Sequence, residues 1–313
     1  MKVTALAGGI GAGKLLRGLV RAVPPGEVSV VVNTGDDVVM HGLHVSPDLD
    51  SVTYWLGDVF DRQRGWGRRG ETFRAITELG GFDPDLAWFN LGDLDLGTHL
   101  FRTSLLGSGA TLSEATERIA ARFGVPARLM PMSDDPVPTR ITVVADGAEL
   151  DLHFQEYWVR RGARDEVKAV RYEGASAASP APGVLEAIRE ADVVVLCPSN
   201  PVVSLGPVLA IPGIREALGR RRERVVGISG IVEGAPLAGM ADRLMPAAGV
   251  EVTAAGAAEY YRGLLGSWVI DEADRGLLPR IEATGLRVGV TDTIMTDDDK
   301  AEGLARFALG LLE

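Results

Sequence analysis

The beginning of the chain constrains its fold more than any other part. Lys2-Val-Thr-Ala-Leu-Ala7 is a short apolar run that breaks into Gly8-Gly-Ile-Gly-Ala-Gly13. Leu15, Leu16, Leu19 and Val20 then recur at helical spacing until Pro24-Pro25-Gly26, and residues 28–32 form a second, β-branched run. Strand, glycine turn, amphipathic helix and strand predict a βαβ unit, because two parallel strands need a crossover that a helix supplies. A chain that opens this way is committed to an α/β class with a largely parallel sheet.

The remaining 280 or so residues (roughly, by subtraction) extend that pattern. Helical periodicity covers residues 50–60, 71–79 and 113–123, and Trp55, Trp66 and Trp88 fall in the same stretch. Residues 140–144 and 150–154 read as strands around an Asp146-Gly147 hairpin turn. Residues 191–196 are nearly all apolar, as a strand buried on both faces requires. Residues 225–228, 251–254 and 286–290 read as further strands, and residues 300–312 as a closing helix. The expectation is a doubly wound, mostly parallel Rossmann-like sheet built from residues 1–45 and 139–313. Residues 46–138 form a mainly helical insertion beside it.

Composition narrows the function classes. Of 313 residues, 46% are apolar and only 6% aromatic, so the core rests on Ala, Val, Leu and Ile. A net charge of −11 argues against a general nucleic-acid binder, whose affinity needs clustered cations, but leaves room for one small anion in a locally positive pocket. No apolar run approaches the ~20 residues of a membrane span. The single cysteine, Cys197, rules out an internal disulfide and suits a reducing compartment, so the expected location is cytoplasmic.

Ligands of doubly wound sheets bind beyond the carboxyl ends of the strands, so the loops there carry the information. The first, Gly8 to Lys14, fits neither familiar phosphate motif. Gly8, Gly13 and Lys14 match the triphosphatase loop, but Leu15 stands where a hydroxyl should meet magnesium. Counted from Gly9, the dinucleotide fingerprint lacks its third glycine, because Lys14 holds that place. A close backbone approach at a helix N-terminus survives either way, and it suits an anion. A plain tight turn is the alternative.

Asn33-Thr-Gly-Asp-Asp37 follows the second strand, Pro47-Asp-Leu-Asp50 precedes a helix, and Gly92-Asp-Leu-Asp95 makes a third acidic turn. Adjacent carboxylates are costly unless a cation or donors compensate them. They could ligate Mg²⁺ or orient a hydroxyl, or Asp36, Asp37 and Asp50 could simply cap helices. Cys197-Pro-Ser-Asn-Pro201 and Ser204-Leu-Gly-Pro207 follow the long buried strand, and they read either as a rigid polar binding loop or as a Pro-rich turn. No histidine sits near Cys197 in a nucleophile pattern.

Together with Phe154-Gln-Glu-Tyr157, these motifs resemble, in order and spacing, the 2-phospho-L-lactate transferase family, whose actinobacterial members use a phosphoenolpyruvyl donor. The resemblance runs from residue 1 to roughly residue 300. It implies transfer of a phosphoenolpyruvyl or 2-phospho-L-lactyl group from a guanosine-diphosphate-linked donor to the terminal ribityl hydroxyl of the deazaflavin Fo. GMP would leave, Mg²⁺ would assist, and the product belongs to coenzyme F-420 biosynthesis. A homodimer is also implied. The expected roles are catalytic for Asp37 and Asp50, and deazaflavin contact for Asp50, Asp93 and Arg102. Nucleotide contact falls to Gly9, Gly11, Gly13, Lys14, Asn33, Ser199, Asn200 and Ser204, and the metal to Asp36, Asp37 and Asp50. Two positions depart from the family pattern, Leu94 and Ala238, where a basic residue is usual; Arg102 or a residue of Arg62 to Arg69 could supply the first charge. The rival class is a non-catalytic nucleotide-sugar-binding regulator of the same fold.

Overall fold

The computed structural model describes residues 1–312. Seven strands form one sheet: β1 (Val3–Ala7), β2 (Val28–Val32), β3 (Arg128–Pro131), β4 (Val193–Leu196), β5 (Val225–Ile228), β6 (Ser267–Asp271) and β7 (Arg287–Thr291). Every pairing is parallel, and the order across the sheet is 3-2-1-4-5-6-7. This is an α/β, doubly wound sheet whose order reverses between β1 and β4.

Alternate residues along each strand serve opposite faces, and both faces are covered. Val3, Ala5 and Ala7 join Val28, Val30 and Val32 in one core with α1 (Gly9–Ala22) and the C-terminal helix Asp298–Gly310. Leu6, Val31, Val194 and Leu196 join the other, under helices Val184–Glu190 and Ala254–Tyr260. Small and β-branched residues dominate both cores, as the low aromatic content requires.

Between β2 and β3 run four helices: α2 (Pro47–Leu56), α3 (Arg74–Phe82), α4 (Asp93–Gly107) and α5 (Leu112–Arg122). Thr111 and Glu114 close a capping box that starts α5. The stretch read as an insertion also contains β3, an edge strand of the main sheet, which the helical reading passed over. A separate three-stranded antiparallel sheet lies beyond the main one, with Thr139–Ala145 in the middle, paired on one side with Ala148–His153 and on the other with Glu166–Tyr172. Asp146 and Gly147 both have positive φ, the turn geometry expected of that dipeptide.

Two expectations fail locally. Residues 251–254 are not a strand: Thr253 caps the helix from Ala254, its side chain accepting from Gly256 N. An N-cap reads in sequence like the end of a short apolar run. β6 went unread because Ser267 and Asp271 bracket a core of only three apolar residues, Trp268, Val269 and Ile270. Among the described residues no helix is long and apolar enough to cross a membrane.

Candidate active site

A cavity of about 710 Å³ opens at the carboxyl ends of β1 and β4, where the strand order reverses. The loops after β1, β4 and β5 line it together with α2, α4 and residues 65–67. Residues from Phe154 to Val159, on the connection from Ala148–His153 to Glu166–Tyr172, and the segment from Pro236 to Ala241 complete it.

On the sheet side, Gly8, Gly9, Gly11, Lys14, Ser199, Asn200 and Ser204 all line the cavity. Gly8 N donates to Ser199 Oγ at 3.3 Å, tying the two loops together. A Cβ on Gly11 would sit 2.5 Å from the Pro198 carbonyl oxygen, so the close approach of these loops requires glycine there. Gly13 does something else. It is buried, off the cavity wall, and a Cβ there would run into the Trp55 indole. Asn200 spends its Oδ1 on Val202 N (2.9 Å) and Val203 N (3.3 Å), shaping the wide helical turn that presents Ser204. Lys14 has no ion-pair partner among the described residues, which leaves its charge for an anion in the cavity.

The acidic loops are brought together but share out their partners. Asn33 is fully buried off the cavity wall, and its Nδ2 donates to Asp48 Oδ2 at 2.9 Å and to the Val203 carbonyl at 3.2 Å. Asp36 lies 3.5 Å from the same amide and also accepts from Gln155 Nε2 at 3.4 Å. Burial, and then the Asp48 and Asp37 carboxylates, hold Asp36 well above the usual carboxylate range. Burial pushes Asp48 up to about 7 against the pull of Asn33. Asp37 faces away from the cavity, accepting from Ser46 Oγ at 2.7 Å and meeting His44 Nε2 at 3.0 Å. Neither Asp36 nor Asp37 caps a helix.

Asp50, 5% exposed, lines the cavity from α2, whose N-cap is Ser46 rather than an aspartate. Both of its oxygens take the guanidinium of Arg102, 1% exposed, on α4: Nη1 donates to Oδ2 at 3.1 Å and Nη2 to Oδ1. Burial works against the Arg102 charge, but Asp50 outweighs it and keeps the guanidinium cationic. Arg102 is therefore the fixture that holds Asp50, not a wall of the cavity. The expected metal trio is thus dispersed. Asp37 is engaged by Ser46 and His44, Asp50 by Arg102, and among the described residues no group of three acids, histidines or cysteines is disposed to cage an ion.

Asp93 also has a local task. It accepts from Thr72 Oγ1 (2.5 Å), Arg74 N (3.0 Å) and Ala75 N (3.0 Å), capping α3, while Glu71 accepts from Leu94 N and Asp95 N and caps α4. The Leu94 side chain is exposed outside the cavity, and its carbonyl accepts from Arg68 Nη1 at 2.9 Å. Ala238, the other departure, lines the cavity.

Tyr54, Trp66, Phe89, Leu91, Asp95 and His99 line the same cavity as Asp50. Burial, and then the charge on Asp50, raises Asp95 to about 7, and burial lowers His99 to about 4. Sequence reasoning assigned no role to Asp48, Tyr54, Asp95, His99 or Gln155. Asp48 and Asp95 stood in quoted acidic turns, and only their neighbours could show which of two aspartates faces inward. Nothing local marks Tyr54, His99 or Gln155.

The sequence model of the family described as 2-phospho-L-lactate transferase CofD matches residues 3–304. A phosphoenolpyruvate transferase of Streptomyces griseus is 49% identical, covering 100% of this chain and 99% of that protein. A 2-phospho-L-lactate transferase of Methanosarcina acetivorans is 41% identical over 98% of both. A crystal structure of a UPF0052-family protein from Bacillus halodurans superposes with a TM-score of 0.61 at 18% identity, covering 99% of this chain and 100% of that one. At that identity the likeness speaks for the fold alone. The glycine loop, the acidic turns and the Pro-Ser-Asn-Pro loop converge on one cavity in a chain matched almost end to end, and the chain belongs to the 2-phospho-L-lactate transferase CofD family.

Proposed function

We propose that the protein transfers a phosphoenolpyruvyl or 2-phospho-L-lactyl group from a guanosine-diphosphate-linked donor to the terminal ribityl hydroxyl of Fo, in coenzyme F-420 biosynthesis. The observation that carries this is the lining of one cavity. It joins glycines and Lys14, suited to a diphosphate, with the rings of Tyr54, Trp66 and Phe89, suited to a flat acceptor, and with the carboxylates Asp36, Asp48 and Asp50.

The acceptor oxygen attacks the outer phosphorus, the bond from that phosphorus to the oxygen bridging the two phosphates breaks, and GMP leaves with that oxygen. The acceptor's proton passes to solvent water. Phosphoryl transfers of this kind depend on positioning and charge stabilisation more than on a strong base. Asp50, clamped by Arg102, orients the hydroxyl. Lys14 and the backbone N–H groups at the start of α1 stabilise the leaving phosphate.

Asp36 and Asp48 are the pair suited to Mg²⁺. Both line the cavity, both are joined through the Asn33 amide, and their mutual repulsion is what a cation relieves. Magnesium is commonly held by one or two carboxylates plus substrate phosphates, so a cage of three acids is not needed. When bound there it would neutralise the diphosphate.

The test is incubation of the protein with Fo, Mg²⁺ and the guanylylated donor, following GMP and the Fo phosphodiester together. Absence of both products, alongside tight binding of a sugar nucleotide, would instead establish the regulator.

A further inference from the structure

The acidic turn from Asn33 to Asp37 is held to the antiparallel sheet through successive carbonyls. Thr139 N donates to the Gly35 carbonyl at 2.6 Å, Gln155 Nε2 to that of Asp36 at 3.5 Å, and His153 Nε2 meets that of Asp37 at 3.0 Å. A Cβ on Gly35 would lie 2.6 Å from Thr139 Oγ1, so turn and sheet touch with no room between them. Thr139 contributes through its backbone and the Gln155 contact is at the long limit of a hydrogen bond. His153 is therefore the side chain on which the hold most depends.

The contacts of His153 settle where its proton sits. Nδ1 lies 3.1 Å from Gln155 N, which only donates, so Nδ1 accepts. Nε2 faces a carbonyl, which only accepts, so Nε2 carries the proton and donates. One neutral ring thus fixes both the start of the Gln155 segment and the backbone of Asp37.

What this backbone decides is which of two adjacent carboxylates faces inward. Asp36 lines the cavity and shares the Asn33 amide with Asp48, at 3.5 and 2.9 Å, whereas Asp37 turns to Ser46 and His44. Like carboxylates repel, so Asp36 stays beside Asp48 only on a backbone that cannot turn.

We propose that His153 is a positioning residue for the diphosphate half of the reaction: by holding the Asp37 carbonyl it keeps Asp36 aimed into the cavity beside Asp48. It is not among the residues that line the cavity, and it acts through the turn alone. The inference rests on the reading of Asp36 and Asp48 as the Mg²⁺ carboxylates.

The experiment is calorimetric titration of GDP, standing in for the donor's diphosphate, with and without Mg²⁺, into wild type, His153→Leu, His153→Asn and His153→Gln. Binding without Mg²⁺ depends on the glycine loop and Lys14, so the ratio of the two affinities reports the carboxylates. An Asn amide reaches the Nδ1 position and keeps Gln155 N, but is too short for the Asp37 carbonyl. A Gln amide nitrogen reaches the Nε2 position and keeps that carbonyl. Mg²⁺ should tighten GDP in the wild type, and His153→Leu and His153→Asn should cut that gain about fivefold, the effect of one lost hydrogen bond. His153→Gln should restore most of the gain, and affinity without Mg²⁺ should be unchanged throughout. Should His153→Leu not fold, the other two variants decide the matter. An undiminished gain in His153→Asn, a gain no larger in His153→Gln than in His153→Asn, or an equal fall with and without Mg²⁺ overturns the inference and leaves the metal reading intact. A wild type whose GDP affinity ignores Mg²⁺ removes the metal reading, and the inference with it.

Discussion

Replacing Arg102 by methionine tests whether Asp50 is held by a buried ion pair. The two side chains are 1% and 5% exposed, and one of their two contacts is 3.1 Å long. At that separation and an effective dielectric of about 20, the Coulomb attraction is roughly 5 kcal/mol. Removing one partner of such a pair typically costs about 3–5 kcal/mol, because the other charge stays buried and uncompensated. Replacing both by apolar residues of similar size, as in Asp50→Leu with Arg102→Met, is close to neutral by the same reasoning. Urea unfolding of the wild type, the two single variants and the double variant gives the coupling directly. Arg102→Met should lose about 3–5 kcal/mol, and the double variant should recover at least about 2 kcal/mol of the summed single losses. For a chain of this length, a loss of that size lowers Tm by about 5–8 °C. A loss below about 1 kcal/mol in Arg102→Met, or strict additivity, would refute the reasoning. Transfer should fall with Arg102→Met while donor KM holds, because the variant disturbs the orienting carboxylate and not the phosphate wall.

Lys14→Ala should weaken GDP about tenfold or more in a direct titration, since a charge-assisted contact contributes about 1.5–3 kcal/mol; unchanged affinity would move the phosphate site elsewhere. Gly11→Ala should cost about 1–3 kcal/mol of stability and loosen GDP, because its Cβ would meet the Pro198 carbonyl; a fully stable variant with normal GDP affinity contradicts the close approach. The pH dependence of Asp95→Asn has a definite sign. Asp95 is raised in the fold from 3.8 to about 7, so its contribution is complete below about pH 4 and is lost as pH rises through 7. Relative to wild type, Asp95→Asn should therefore gain up to about 4 kcal/mol between pH 4 and pH 8, read by urea unfolding; a constant difference across that range rules it out. Asp48→Asn should weaken Mg²⁺ binding to the donor-bound protein in calorimetry, whereas Asp37→Asn should leave it nearly unchanged.

The order of residues alone carries the α/β class and the loops where chemistry can occur. Continuous apolar runs such as Val193–Leu196 suit strands buried on both faces, and glycines directly after a strand mark a close approach of the backbone, although in the fold the helix already starts at Gly9 and takes in Gly11 and Gly13. Those signals are local, set by periods of two and 3.6 residues. Tertiary structure decided which member of each motif faces the cavity. Asp48 and Asp95 turn inward, whereas Asp37 meets Ser46 and His44, and Asp93 caps α3. Gly11 touches the opposite loop, whereas Gly13 makes room for Trp55. Arg102 finds Asp50 across 52 residues of chain because α4 packs against the strand Leu43–Val45, which leads directly into α2. The residues of a pair are written in the sequence, but pairing depends on how elements distant along the chain pack, and no local period carries that information.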